Sequence, residues 1–159
     1  MEPPPPDAEE IIGVLSNKPL FFGLSDEQFG KIASIAQKKS YRAGDTIFQE
    51  GDPGKYILVL ESGEIDIYKE MDDDRKVKLS SLMPGAVIGE VTLFSNESRS
   101  ATAVAGRDSE AICLNKLPLA ELFREDREIL VILSMNITRI LARRLRKADK
   151  SLSHLYALS

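Results

Sequence analysis

The 159-residue chain reads as a mainly β domain, a sandwich or barrel, with helices on both sides of it. Three observations predict this. Between Ser40 and Lys116, brief runs of β-branched and aromatic residues (TIFQ, YILVLE, EIDIYKE, KVKLSSL, AVIGE, SATAVA, EAICLN) are punctuated by glycines at 44, 51, 54, 63, 85, 89 and 106. That is the texture of short strands joined by turns. Ahead of them, Ser25 followed three positions later by Gln28 is a capping-box signal, with Phe29, Ile32 and Ile35 or Ala36 on one helical face. Past Pro118 the apolar period changes to that of a helix, first in LAELFRE and then over a long segment.

In chain order, four consecutive prolines in MEPPPPDAEE lack amide donors and favour an extended, solvated backbone. Residues 1–9 are therefore expected to be a disordered Pro-rich tail, and residues 10–159 the domain. The amphipathic IIGVLSNKPLFFGL leads into a short helix over 26–36. The barrel should occupy about 40–117, with DDDR (72–75) an exposed hairpin tip, and the last helix about 127–155. Within that helix Leu141, Leu145, Ala148, Leu152 and Leu155 follow a 4, 3, 4, 3 spacing, the narrow seam of a coiled coil. At 1.5 Å per residue it would be about 40 Å long, more than a small barrel can cover. Its distal half is expected to meet its own copy in a parallel homodimer.

Composition limits the chemistry. Cys113 is the only cysteine and His154 the only histidine, which excludes a disulfide framework and argues against a thiolate or imidazole metal site. No catalytic residues and no metal are expected, so the chain reads as a non-enzyme. The net charge of -4 gives the domain no electrostatic reason to seek nucleic acid. Arg139, Arg143, Arg144, Arg146, Lys147 and Lys150 are read as the solvated face of the long helix, Cys113 as a core residue and His154 as surface. The N-terminus has no basic segment followed by an apolar one, and no run approaches the roughly 20 apolar residues of a membrane span. A cytoplasmic protein without a membrane partner is expected.

The stretch IGEVTLFSNESRSATAVA sets Glu90 and Arg99 nine positions apart in an otherwise apolar run. From spacing alone they could form a salt bridge across a loop. The surrounding blocks give another reading. LFFGLSDEQ, AGDTIFQEGDPG, VLESGEIDIY, LMPGAVIGE and SRSATAVA, in that order and between helices, resemble the cyclic nucleotide-binding domain shared by catabolite activator proteins, regulatory subunits of cyclic-nucleotide-dependent kinases and gated channels. The resemblance covers about residues 19–155. It implies a double-stranded β-helix (jelly-roll) barrel with N-terminal helices and a long C-terminal helix.

It also implies a site. The phosphate-binding cassette of the family falls on residues 89–102. Gly89 would let backbone approach the ligand, and the amides of Glu90 and Val91 would open a short helix toward it. Glu90 would accept from the ribose 2'-hydroxyl, and Arg99 would pair with the exocyclic phosphate oxygens. Ser100 would add a hydroxyl and an amide, with the small Ala101 after it. Ile67, Leu79 and Ser80 would line the base pocket. Where relatives carry a threonine and a serine on the long helix, this chain has Ala148 and Asp149, a departure. Ala148 offers apolar contact only. Asp149 either accepts from the base or is solvated. The implied ligand is cyclic AMP (cAMP), with cyclic GMP (cGMP) as alternative and a cyclic dinucleotide third. The implied function is a regulatory module coupling ligand binding to its C-terminal helix, without direct nucleic acid binding by this segment. The alternatives are the sensory half of a transcription regulator whose DNA-binding domain would follow Ser159, and a ligand-free interaction domain.

Overall fold

The structure, a computed structural model, describes residues 7–158. Helix α1 (Ala8–Leu15), a 3-10 turn (Pro19–Phe21) and helix α2 (Asp26–Ile35) precede eight strands: β1 (Ala36–Tyr41), β2 (Thr46–Phe48), β3 (Tyr56–Ser62), β4 (Ile65–Glu70), β5 (Lys76–Leu82), β6 (Val87–Ile88), β7 (Thr102–Ala105) and β8 (Ser109–Asn115). A second 3-10 turn (Glu90–Leu93) lies between β6 and β7, and α3 (Lys116–Glu125) and α4 (Arg127–Ala157) close the chain. The strands form two antiparallel four-stranded sheets, in the orders β1-β8-β3-β6 and β2-β7-β4-β5. This is the expected jelly-roll barrel with its flanking helices.

The first sheet is covered on both faces, which explains why YILVLE shows no alternation of apolar and polar residues. Leu58 and Leu60 of β3 point into the barrel with Ile65, Ile88, Ala103, Ala111 and Cys113. Their neighbours Ile57 and Val59 point outward and pack with Ile112, Leu114 and the apolar stripes of α1, α2, α3 and α4. Cys113 is a core residue, and burial pushes its thiol pKa up. The Ser25–Gln28 capping box is formed in both directions, at 2.9 and 3.2 Å.

Two boundaries differ from expectation. The helix over 26–36 stops at Ile35, and β1 follows at once, a strand that sequence patterning missed. Its segment AQKKSY runs along a sheet edge with its four middle residues exposed, so no half-buried alternation marks it. At the other end, Ala8 and Glu9 belong to α1 rather than to the tail. Ala8, Ile11 and Leu15 are buried against the helical layer, so burial orders the chain just past the prolines. The remainder of that tail, residues 1–6, lies outside the described residues.

Helix α4 changes character along its length. Asp126 caps its start by accepting from the Glu128 amide at 3.2 Å. Ile129, Leu133 and Ile137 are buried on the barrel side, and Asn136 donates to the carbonyls of Leu20 and Phe22 at 2.8 and 2.9 Å, tying α4 to the first 3-10 turn. From Leu141 to Leu158 every residue is exposed, including Leu145 at 65%, Leu152 at 54% and Leu155 at 64%. Among the described residues, no helix is long and apolar enough to cross a membrane.

Candidate ligand site

Strand β6 is followed by Gly89, whose backbone is left-handed (φ 85°, ψ 16°). Only glycine adopts this without strain, and a Cβ there would collide with the guanidinium of Arg99. The conformation turns the chain into the 3-10 turn of Glu90–Leu93, which is closed by the Thr92 amide and hydroxyl donating to the Gly89 carbonyl at 3.1 and 2.6 Å. The segment returns at Arg99, whose backbone is clamped to the β2–β3 loop. The Arg99 amide donates to the Asp52 carbonyl at 2.7 Å, and the Gly51 amide donates to the Arg99 carbonyl at 2.8 Å. Strand β7 then begins against β4, with the Thr102 hydroxyl accepting from the Glu50 amide at 3.0 Å.

The Arg99 side chain is 4% exposed. Its guanidinium lies 4.2 Å from the ring centroid of Phe48 and 4.9 Å from that of Tyr56, and its Nη2 donates to the Tyr56 carbonyl at 2.5 Å. The ring faces offer it cation–π attraction. Its Nε and Nη1 have no hydrogen-bond partner, and no carboxylate of the described residues forms an ion pair with it. Burial lowers the pKa of the guanidinium. A buried cation with unspent donors costs stability, and an anion accepting from Nε and Nη1 would relieve that cost.

Glu90, also 4% exposed, does not bridge to Arg99. Its Oε1 is held instead by Nη2 of Arg144 on α4. The carboxylate and the guanidinium of the cassette are thus independent groups, and the first is tied to the long helix.

The other predicted residues divide into three sets. Val91 and Ser100 are exposed and Ala101 half-buried along the cassette. The Ser100 carbonyl accepts from Lys69 at 2.6 Å, and the same ammonium meets Glu50 at 2.7 Å. Ile67 packs on the inner face of the barrel, and Ser80 is its direct partner across β4 and β5. Leu79 sits where the register slips between Ile67 and Tyr68, and is 58% exposed. Ala148 and Asp149 are exposed on the distal half of α4, Ala148 one helical turn beyond the Arg144 that holds Glu90. Sequence reasoning missed Phe48, Tyr56 and Arg144. The two aromatics stand at a strand end and a strand start with no local mark of their role. Arg144, 54 positions from Glu90, looked like one more solvated arginine.

A cavity of about 720 Å³, lined by Pro53, Gly54, Lys55, Ser98 and Leu117, opens on the outer side of the β2–β3 loop and includes neither Glu90 nor Arg99.

Comparison with known proteins identifies the family and the fold. Residues 38–126 match the model of the family described as "Cyclic nucleotide-binding domain". The chain is 34% identical over 142 residues to the cyclic AMP receptor protein of Thermus thermophilus, covering 87% of this chain and 62% of that protein. It is 32% identical over 119 residues to a cAMP-dependent protein kinase regulatory subunit of Candida albicans, covering 75% of this chain and 25% of that one. Among solved structures, the N-terminal domain of a transcriptional regulator from Streptomyces coelicolor superposes with a TM-score of 0.74 at 31% identity, over 87% of this chain and 94% of that domain. The chain therefore spans less than two thirds of those two relatives' length and nearly all of the separate regulator domain. With a barrel, a glycine-led cassette and a family match spanning both, the chain belongs to the cyclic nucleotide-binding domain family.

Proposed function

We propose that this chain is a cAMP sensor whose cassette binds the ribose cyclic phosphate and whose α4 transmits the event, acting without turnover. The observation that carries the reading is Arg99, a buried guanidinium with two donors that no protein group accepts. A cyclic phosphate supplies both acceptors and the compensating charge. Glu90 accepts from the ribose hydroxyl, and Gly89 clears the approach. Val91, Ser100 and Ala101 shape the cassette, while Ile67, Leu79 and Ser80 border the base.

The link to α4 runs through Glu90, because Arg144 holds the same carboxylate that the sugar would use. A ligand that competes for Glu90 distinguishes conformations of α4 by differential contact, which is the requirement for a population shift. The exposed seam of α4 is the surface through which two copies pair. Similarity to a cyclic AMP receptor protein and to a cAMP-dependent kinase subunit supports cAMP over cGMP. Similarity to transcription regulators supports a longer protein in which this domain is the sensory part.

Isothermal titration with cAMP, cGMP and a cyclic dinucleotide tests the assignment. One cyclic mononucleotide, cAMP in this reading, should bind at micromolar concentration or tighter. Arg99→Ala should weaken it about 10- to 150-fold, the loss of roughly 1.5–3 kcal/mol of charge-assisted hydrogen bonding. Unchanged affinity in that variant would remove Arg99 from the site.

A further inference from the structure

Two cavities flank the contact between the first 3-10 turn and α4. One, of about 360 Å³, is lined by Phe22, Asn136 and Arg139, and the other, of about 310 Å³, by Leu20, Gly85, Val87, Glu90 and Arg144. Pro19, Ile140 and Arg143 line both, so the two adjoin as one groove with an apolar floor. Its rim is cationic. Arg139 and Arg143 stand one helical turn apart at the first cavity, where Arg139 meets only the neutral Asn136 oxygen at 3.2 Å. Asn136 spends its amide on the Leu20 and Phe22 carbonyls. At the far end of the second cavity the Lys18 ammonium lies beside Gly85, 3.2 Å from where a Cβ would stand. Among the described residues the Lys18 and Arg143 side chains have no ion pair or hydrogen bond. Glu90 is the only carboxylate lining either cavity, and Arg144 already holds it. Three cations thus border a groove with no acid free to oppose them. Arg139 and Arg143 lie about half a turn of helix away from Leu141 and Leu145, so whatever covers those leucines leaves the groove open.

We propose that this groove is a second binding site, separate from the cassette, for a small organic anion: a phosphate monoester with an apolar body. Charge complementarity argues for that occupant. A phosphate monoester carries nearly two charges near neutral pH, and the two guanidinium forks of Arg139 and Arg143 supply two cations with paired donors. Glu90 repels charge from the second cavity, which fixes the direction of binding. The phosphate sits at Arg139 and Arg143, and the apolar body runs over Pro19 and Ile140 toward Leu20 and Val87. Each cavity has the volume of a small-ligand site, for which roughly 300–1,000 Å³ is usual, and this depth suits a free molecule better than the surface of a bilayer. A body buried against both walls ties the 3-10 turn to α4. The site does not depend on the cyclic nucleotide reading given above.

Isothermal titration of the full chain with octyl phosphate below its micellar concentration, beside inorganic phosphate and octanol, tests the site. Wild type should bind octyl phosphate at least about 10-fold more tightly than either half of it, because the alkyl chain adds apolar burial to the ion pairing. Arg139→Ala combined with Arg143→Ala should weaken binding about 10- to 150-fold. Both arginines are exposed, so the melting temperature of that variant should stay at the wild-type value. Arg99→Leu should bind octyl phosphate as wild type does. Inorganic phosphate binding as tightly as octyl phosphate would overturn the groove and leave a bare ion patch. Binding lost in Arg99→Leu but kept in the double variant would place octyl phosphate in the cassette and overturn the second site. A wild type that ignores octyl phosphate at millimolar concentration would overturn it too, in favour of a membrane surface if the protein pellets with phosphatidic acid vesicles.

Discussion

Arg99 and Arg144 bring the same guanidinium to one site from opposite surroundings. Arg99 is 4% exposed, pressed between Phe48 and Tyr56, and leaves Nε and Nη1 without acceptors. The Arg144 side chain is 57% exposed, projects from the exposed half of α4, and is satisfied by Glu90. A desolvated cation with unspent donors detracts from folding and is suited to gripping an anion. An exposed cation with one acceptor is inexpensive to move and is suited to changing partners. In the proposed function the barrel would therefore hold the affinity of the domain, and the distal helix its response.

The comparison can be broken most severely at the seam. If two copies pair through the seam as proposed, Leu145→Asp with Leu152→Asp would bury four unpaired carboxylates between them, and light scattering should find a monomer at any practical concentration. Each chain should keep its fold, since both leucines are exposed on the isolated chain. Next, Glu90→Ala, which removes the acceptor altogether, should erase sugar discrimination. Wild type should prefer cAMP over 2'-deoxy-cAMP by roughly 10-fold or more, reflecting a hydrogen bond to a charged group, while the variant binds both alike by calorimetry. Gly89→Ala combines a positive φ with a collision against Arg99. It should cost about 1–3 kcal/mol of stability in denaturant unfolding and weaken cAMP as well. The smallest effect belongs to Asp149→Ser. If Asp149 reads the base, the ratio of the cAMP and cGMP affinities should change by a few-fold, and an unchanged ratio would leave Asp149 a solvated surface residue.

The barrel and the cassette were legible because their signals are local and ordered along the chain. Glycine turns, β-branched runs and the IGE and SRSA blocks each report their own backbone, and Gly89 is required by a conformation that can be inferred from the turn it makes. Strand β1 was not legible, because AQKKSY lies at an edge with four exposed residues and shows no period-2 pattern. The environment of Arg99 was not legible either, since Phe48 and Tyr56 reach it through the closing of two sheets. The Glu90–Arg144 ion pair depends on where α4 crosses the barrel. That crossing is set by packing of Ile129, Leu133 and Ile137 and by the Asn136 hydrogen bonds rather than by any motif near Arg144. Ala148 and Asp149 illustrate the converse. Their positions on the helix could be read from sequence, but the single chain leaves both exposed, with no packing to define a role.

The central claim is that Arg99 is retained for a ligand and against the interest of the fold. Thermal melts of Arg99→Leu, run with and without saturating cAMP beside wild type, test it most directly. Replacing a buried, partly unsatisfied cation by an apolar side chain should leave the melting temperature in the absence of nucleotide equal to or above that of wild type. Saturating cAMP should raise the wild-type value by several degrees and leave the variant nearly unmoved. A variant that melts well below wild type without nucleotide, yet is stabilised by cAMP to the same extent, would make Arg99 a structural residue and contradict the account.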